Sequence, residues 1–231
     1  HGAVAEKQGR CVLLTGPFGT KKSMLLLTML RDNWNFISDD KFILHGGNAY
    51  MLYHDIMMRA YYTEFMPWLE GIMPGMKRFK KDEAFRERVR IFVSRHLPAS
   101  LLPVLSKLYD PYATVNINAD ELFPASMAIR SARISSVVLL SDGPVLETRD
   151  ATKTGILKDL VAVQRLISYE ESKFSSLKER LFLQDKSFGC PADDIIDSNF
   201  EGQTFFRLTL PVNCNLDLAY EELKRCLEKA L

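Results

Sequence analysis

The sequence predicts an α/β fold in which a mixed sheet is flanked by helices. Three observations carry that expectation. A short apolar run passes directly into a Gly/Pro turn and then into a strongly apolar helical stretch; a strand-like segment ending in two carboxylates follows; and further β-rich segments recur between helical patterns down to the C-terminus.

Residues 11–15 (CVLLT) form an apolar run closed by Gly16 and Pro17, the pattern of a buried strand ending in a turn. Residues 22–30 (KSMLLLTML) are apolar nearly all round, which suits a helix covered on most sides, and the polar stretch 31–35 stops it. A second strand fits residues 36–38. Asp39 and Asp40 follow it directly, and residues 41–44 continue as strand up to the His45-Gly46-Gly47 turn. Residues 50–81 mix Met and aromatic side chains with Pro67, Gly71, Pro74 and Gly75, so short helices and irregular structure are expected. Residues 82–95 place Phe85, Val89, Phe92 and Val93 at helical spacing among charges; Pro98 ends that helix, and another short one covers 100–109.

Strands are expected next at 114–117 and at 134–140, the latter β-rich and followed by the Asp142-Gly143 turn. Residues 152–183 hold one or two helices, and 203–212 (QTFFRLTLPV) alternate as a strand. A final helix over 216–231 takes Leu218, Leu223, Leu227 and Leu231 as its apolar positions. With no internal repeat and no low-complexity linker, residues 1–231 read as a single domain.

A chain of 231 residues, 47% of them hydrophobic, can bury a substantial core. Its 30 basic and 29 acidic side chains nearly cancel, so overall charge points to neither nucleic acid nor an anionic membrane as a partner. Cys11, Cys190, Cys214 and Cys226 are scattered, with no CxxC pair and no histidines at metal-ligand spacing, which suits free thiols in a reducing compartment. No apolar run reaches the roughly 20 residues that cross a bilayer, and no signal-peptide order is present at the start. The expectation is a soluble, cytoplasmic protein. A chain that opens on His1 rather than Met is expected to be a trimmed or processed form of something longer.

Residues 16–23 read GPFGTKKS. The P-loop pattern is G-x-x-x-x-G-K-[ST], in which backbone N–H groups cradle phosphates, the Lys reaches the outer phosphates and the hydroxyl ligates Mg²⁺. Gly16, Lys22 and Ser23 fall in register; Lys21 stands where the second glycine belongs. Glycine adopts left-handed backbone freely, whereas Lys does so at a cost on the order of 1 kcal/mol. The bland alternative is a Gly/Pro turn before a basic helix start. Context favours phosphate: a strand precedes, a helix follows, and two lysines oppose the dipole of a helix N-terminus unless an anion binds there. The expected fold is therefore a P-loop-containing mixed sheet.

Asp39 and Asp40 end the next strand, beside that loop at the ligand-binding edge of an α/β sheet. Carboxylates there can hold Mg²⁺ or accept the proton of an attacking hydroxyl, and neighbours on a strand point to opposite faces, so the two have different jobs. The alternative is a solvated turn, since Asp is common at strand ends.

With these parts placed, residues 1–45 resemble the C-terminal catalytic domain of HPr kinase/phosphorylase and its kinase-like relatives, and also the nucleotide site of phosphoenolpyruvate carboxykinase. The resemblance rests on three parts in order: His1-Gly2-Ala3-Val4, the GPFGTKKS loop, and the FISDD strand end. It implies that Gly16, Gly19, Thr20, Lys21, Lys22, Ser23 and Met24 bind ATP or another nucleoside triphosphate. It implies further that Lys22 contacts the β- and γ-phosphates, and that Ser23 and Asp40 hold Mg²⁺. Asp39 and Asp40 would supply the catalytic base and a metal contact, with His1 tuning the pair. Lys21 departs from the family pattern. The glycine-rich C-terminal signature that engages HPr has no clear copy, so HPr itself is not the expected substrate. Homo-oligomers, common in that family, are an expectation by resemblance.

Other residues weigh less. The basic stretch Lys77, Arg78, Lys80, Lys81, Arg86, Arg88 and Arg90 is offset by Asp82, Glu83 and Glu87 and reads first as a solvated helix face. Arg130 and Arg133 read as surface arginines, and His45, His54 and His96 are isolated. The Met and aromatic cluster from Tyr50 to Trp68 supports either a lid or core. No GxSxG or HExxH pattern supports hydrolase chemistry. The leading functional reading is an ATP-dependent kinase acting on a hydroxyl acceptor such as a serine of a peptide or protein. The alternatives are a nucleotide-binding or scaffold protein with a degenerate loop, and a small-molecule kinase.

Overall fold

A computed structural model of the chain describes residues 2–17, 19–59, 62–72, 114–156, 158, 159 and 199–229. It divides into two compact units, His1–Asp55 with Ala119–Leu231, and Ile56–Asn118. Helices expected at 82–95 and 100–109, the basic stretch 77–90, His96 and Cys190 lie outside the described residues.

The first unit is a mixed α/β structure. It begins with a hairpin of β1 (Ala3–Lys7) and β2 (Arg10–Thr15), joined by Gln8 and Gly9. Both turn residues have positive φ, 56° and 81°, the geometry of a two-residue turn whose twist matches its strands. Helix α1 (Lys22–Arg31) follows, then β3 (Asn35–Ser38). β3 pairs antiparallel with β1, as β2 does on the other side, so β2 and β3 run parallel with one strand between them. The chain bends at Asp39 and Asp40 and returns as a second hairpin, β4 (Phe42–His45) and β5 (Asn48–Met51). Residues 42–45 are thus a new strand with its own partner, not a continuation of β3.

The centre of the sheet is the long strand β8 (Ser131–Asp142), which pairs with three other strands. It lies between β2 and β10 (Thr204–Leu210), both parallel to it, while its first residues pair antiparallel with β5. β9 (Glu147–Asp150) closes the far edge, antiparallel to β10. The order is β3-β1-β2-β8-β10-β9, with β5 and β4 joined off β8, eight strands in all. Three parallel central strands flanked by antiparallel ones explain the pattern: Val137 to Leu140 are an unbroken buried run, whereas β9 reads ETRD and β4 alternates in exposure.

α1 packs against β1, β2 and the C-terminal helix, which in turn packs against β9 and β10. As its composition requires, α1 is buried from Met24 to Leu30. The C-terminal helix spans Leu216–Lys229 and is amphipathic, burying Leu216, Ala219, Tyr220, Leu223 and Leu227. Leu218, assigned to the apolar face by sequence, is 60% exposed: burial of Leu223 and Leu227 turns position 218 outward, and Ala219 takes the inward place. A further core joins Cys11, Leu13, Val137, Leu139 and Phe205 of the sheet to Phe42, Leu44 and Ala49 of the β4–β5 hairpin. A short helix, Ala119–Leu122, and helical residues at 153–156 complete what is described of this unit.

The second unit contains β6 (Asp55–Arg59) paired with β7 (Thr114–Asn118), and two single-turn helices, α2 (Tyr62–Phe65) and α3 (Leu69–Ile72). Met58, Tyr62, Met66 and Leu69 are buried in it. Sequence anticipated the short helices between 50 and 81 but not the strands β5 and β6. No helix among the described residues is long and apolar enough to cross a membrane.

Candidate functional site

β2 ends at Thr15, and the chain leaves the sheet at Gly16. Its φ is 143°, and a Cβ there would lie 2.4 Å from the carbonyl oxygen of Leu140 on β8, so only glycine fits. The loop then closes on itself. Thr20 Oγ1 donates to the carbonyl of Pro17 at 2.8 Å, and Lys22 Nζ donates to the carbonyls of Gly16 at 2.9 Å and Pro17 at 2.7 Å. Gly19, at φ 83°, turns the loop back toward the helix.

Lys21 occupies the N-cap of α1 in left-handed geometry, φ 61° and ψ 21°, and makes no side-chain cap bond. This is the backbone state a glycine adopts freely. Its carbonyl accepts the Leu25 N–H at 2.9 Å, the first bond of the helix. Lys22 is only 8% exposed. Burial pushes its ammonium down to about 8, against the pull of the Asp40 and Asp39 carboxylates, which favour the charged form.

Because β2 and β3 run parallel, their C-terminal ends reach the same edge, and that brings the carboxylates to the loop. Ser23 Oγ, in the first turn of α1, donates to Asp39 Oδ1 at 2.8 Å. Asp39 is 4% exposed, so it is a buried carboxylate and not a solvated turn residue. Asp40 is half-buried, in left-handed backbone at φ 69°, and its carbonyl accepts the Gly2 N–H at 2.9 Å. The two sit in a bend after β3 instead of on the strand, so the bend and not strand alternation sets their different exposures.

Lys22, Ser23, Asp39 and Asp40 are thus gathered at one sheet edge, with the hydroxyl beside Asp39. Met24, also singled out by sequence, is 3% exposed within α1. His1 lies outside the described residues. Arg130, Arg133 and His45 are exposed; His54 Nε2 lies 3.5 Å from Asp120 Oδ2 and meets the ring of Phe36 edge-on. Ser23 Oγ and the Asp39 carboxylate are hard oxygen donors side by side, the chemistry that suits Mg²⁺, an ion that takes few protein ligands and keeps water and phosphate oxygens for the rest. Among the described residues no three His, Cys, Asp or Glu side chains cluster as a metal cage.

A cavity of about 360 Å³ lies elsewhere, at the Arg10 end of β2, and none of the loop residues line it. Sequence reasoning missed the side chains around it: Trp34 Nε1 donates to Tyr220 Oη at 2.7 Å, and Tyr220 Oη donates to Asp32 Oδ2 at 2.6 Å. No local pattern links residues so far apart in the chain.

No protein-family model matches the chain, and no curated protein sequence matches it. Among solved structures it is distantly similar to the HPr(Ser) kinase/phosphatase from Coxiella burnetii, at 9% identity and a TM-score of 0.41, with 99% of this chain and 95% of that chain covered.

Proposed function

We propose that the chain is an ATP-dependent phosphotransferase that moves the γ-phosphoryl group to a hydroxyl acceptor, a serine of a peptide or protein being the expected one. The observation that carries this reading is the Ser23–Asp39 hydrogen bond at 2.8 Å, which seats a buried carboxylate on the first turn of the helix that follows the loop. Ser23 and Asp39 are the residues that would hold Mg²⁺, whose charge offsets that gathering on the transferred group. The loop N–H groups and the start of α1 would receive the phosphate anion. Lys22, held in place by the Gly16 and Pro17 carbonyls, would exchange those acceptors for phosphate oxygens. Asp40, more exposed than Asp39, is placed to take the acceptor's proton. This shares the pair differently from the sequence expectation, in which Asp40 was the metal contact.

A second reading is favoured by Lys21. A non-glycine residue in left-handed backbone at the helix cap is a strained version of the phosphate loop, as in a nucleotide-binding or scaffold protein that no longer transfers phosphate. Calorimetry with Mg-ATP on the wild type and on Lys22→Ala separates the readings. Binding that the variant loses supports the phosphate loop, and transfer to a serine peptide then supports the kinase. Binding without transfer leaves a nucleotide-binding protein, and no binding to the wild type overturns the kinase and leaves the scaffold with a degenerate loop.

A further inference from the structure

At the edge of the sheet opposite the loop, the first residues of β2, the middle of β8 and the approach to β10 line the cavity of about 360 Å³, with the C-terminal helix and the segment after α1 forming its other walls. That volume is at the lower end of small-molecule sites. Most of its polar lining is already engaged. Lys7 Nζ donates to the carbonyl and, at 3.0 Å, to the carboxylate of Asp32, which also receives Tyr220. Lys224 Nζ pairs with Glu221 at 3.0 Å and lies 5.2 Å from the centre of the Tyr220 ring. Ser136 and Thr204 bond each other through their hydroxyls at 2.8 Å.

Arg10 differs. It is half-buried on the cavity wall, and among the described residues its guanidinium has neither a hydrogen bond nor an ion pair. A half-buried guanidinium with no protein acceptor is open to a ligand's, and its planar fork matches a carboxylate with two parallel bonds. Leu227 and the rings of Trp34 and Tyr220, also in the lining, supply the cavity's apolar part.

We propose that this cavity binds a small carboxylate with a flat apolar body, the carboxylate on Arg10 and the body against Leu227 and the Trp34 and Tyr220 rings. The site is independent of the phosphate loop, and neither proposal depends on the other. The chain has two tryptophans, so in a Trp68→Phe background the fluorescence reports on Trp34, which lines the cavity. Titration with benzoate should give a saturable change, with benzamide, its neutral isostere, at least about tenfold weaker. Arg10→Gln should abolish that preference, Arg10→Lys should retain part of it, and Lys22→Ala should leave it intact. If Arg10→Gln fails to fold, the comparison of charged and neutral probes on the wild-type residue decides alone. Equal binding of the two probes, no saturable signal, or tighter binding of inorganic phosphate than of benzoate would overturn the proposal.

Discussion

The two ends of β2 hold their charges in opposite ways. At the Thr15 end, Lys22 is buried against backbone carbonyls and its ammonium is pushed down to about 8. At the Arg10 end, burial works against the charge on Asp32, yet the hydrogen bonds from Tyr220 and Lys7 outweigh it and hold the carboxyl below its ordinary range. One end leaves Lys22 poorly compensated; at the other the Asp32 carboxylate is settled, while Arg10 beside it is left without an acceptor among the described residues. Poorly compensated ionisation in a shaped backbone is what a binding site for an opposite charge looks like before the ligand arrives; a settled network reads as structure. The contrast teaches that Lys22, and not the larger polar network, is where phosphate chemistry is to be sought.

The comparison can be broken in four ways, taken from the largest expected effect down. Phosphoryl transfer from Mg-ATP to a serine peptide should fall about a hundredfold or more in Asp39→Asn and in Asp40→Asn; if both variants keep full activity, the loop end has no catalytic role. Tyr220→Phe removes the acceptor of Trp34 Nε1 and a donor to Asp32, and urea unfolding should show a loss of about 1 to 3 kcal/mol. An unchanged midpoint would mean that the network is not settled after all.

Lys22 supplies the third. Its folded value of about 8 lies below the 10.5 of the free side chain, so between those values the unfolded chain binds more protons and stability rises with pH. Measured against Lys22→Met, the wild type should gain on the order of 2 kcal/mol from pH 8 to 10.5, and Mg-ATP binding should weaken over the same rise as the ammonium is lost. A flat difference would show that Lys22 is not strained by burial. The smallest effect belongs to Lys21→Gly, which relieves the left-handed backbone and should stabilise by about 1 kcal/mol in thermal or urea unfolding. If nucleotide affinity rises with it, the loop was merely degenerate; if affinity falls, Lys21 is itself a phosphate ligand.

How much of this was legible in the sequence follows from how local each signal is. β2, α1, β3, β8, β10 and the C-terminal helix announce themselves because each is an apolar run or period bounded by its own turn residues. β9, reading ETRD, and β4, with alternate residues exposed, carry little hydrophobic signal because they lie toward the margins of the sheet. The β1–β2 hairpin was missed because Gln-Gly is a weaker turn signal than Asn-Gly or Asp-Gly, yet takes up the same positive φ values. At the loop, the order of Gly16, Lys22, Ser23 and the carboxylates anticipated that these side chains meet at one sheet edge, and the left-handed backbone at Lys21 was foreseen from the missing glycine. Which carboxylate meets Ser23 was not, since it depends on the bend after β3. The Trp34–Tyr220 bond joins residues 186 apart, a separation at which a single sequence carries no pairing information.

The placement of β8 also governs the order in which the protein can be made. β2 finds its parallel neighbour only when residues 131–142 exist, and β8 in turn gains β10 only with residues 204–210. At ribosomal rates of about 5 to 20 residues per second, roughly ten seconds or more separate the synthesis of the loop from that of its last supporting strand. Through that interval α1, apolar on nearly every side, has β1 and β2 to pack on but waits for the C-terminal helix that also covers it. The central sheet can therefore close only once residues 204–210 have been made, long after the loop that it supports.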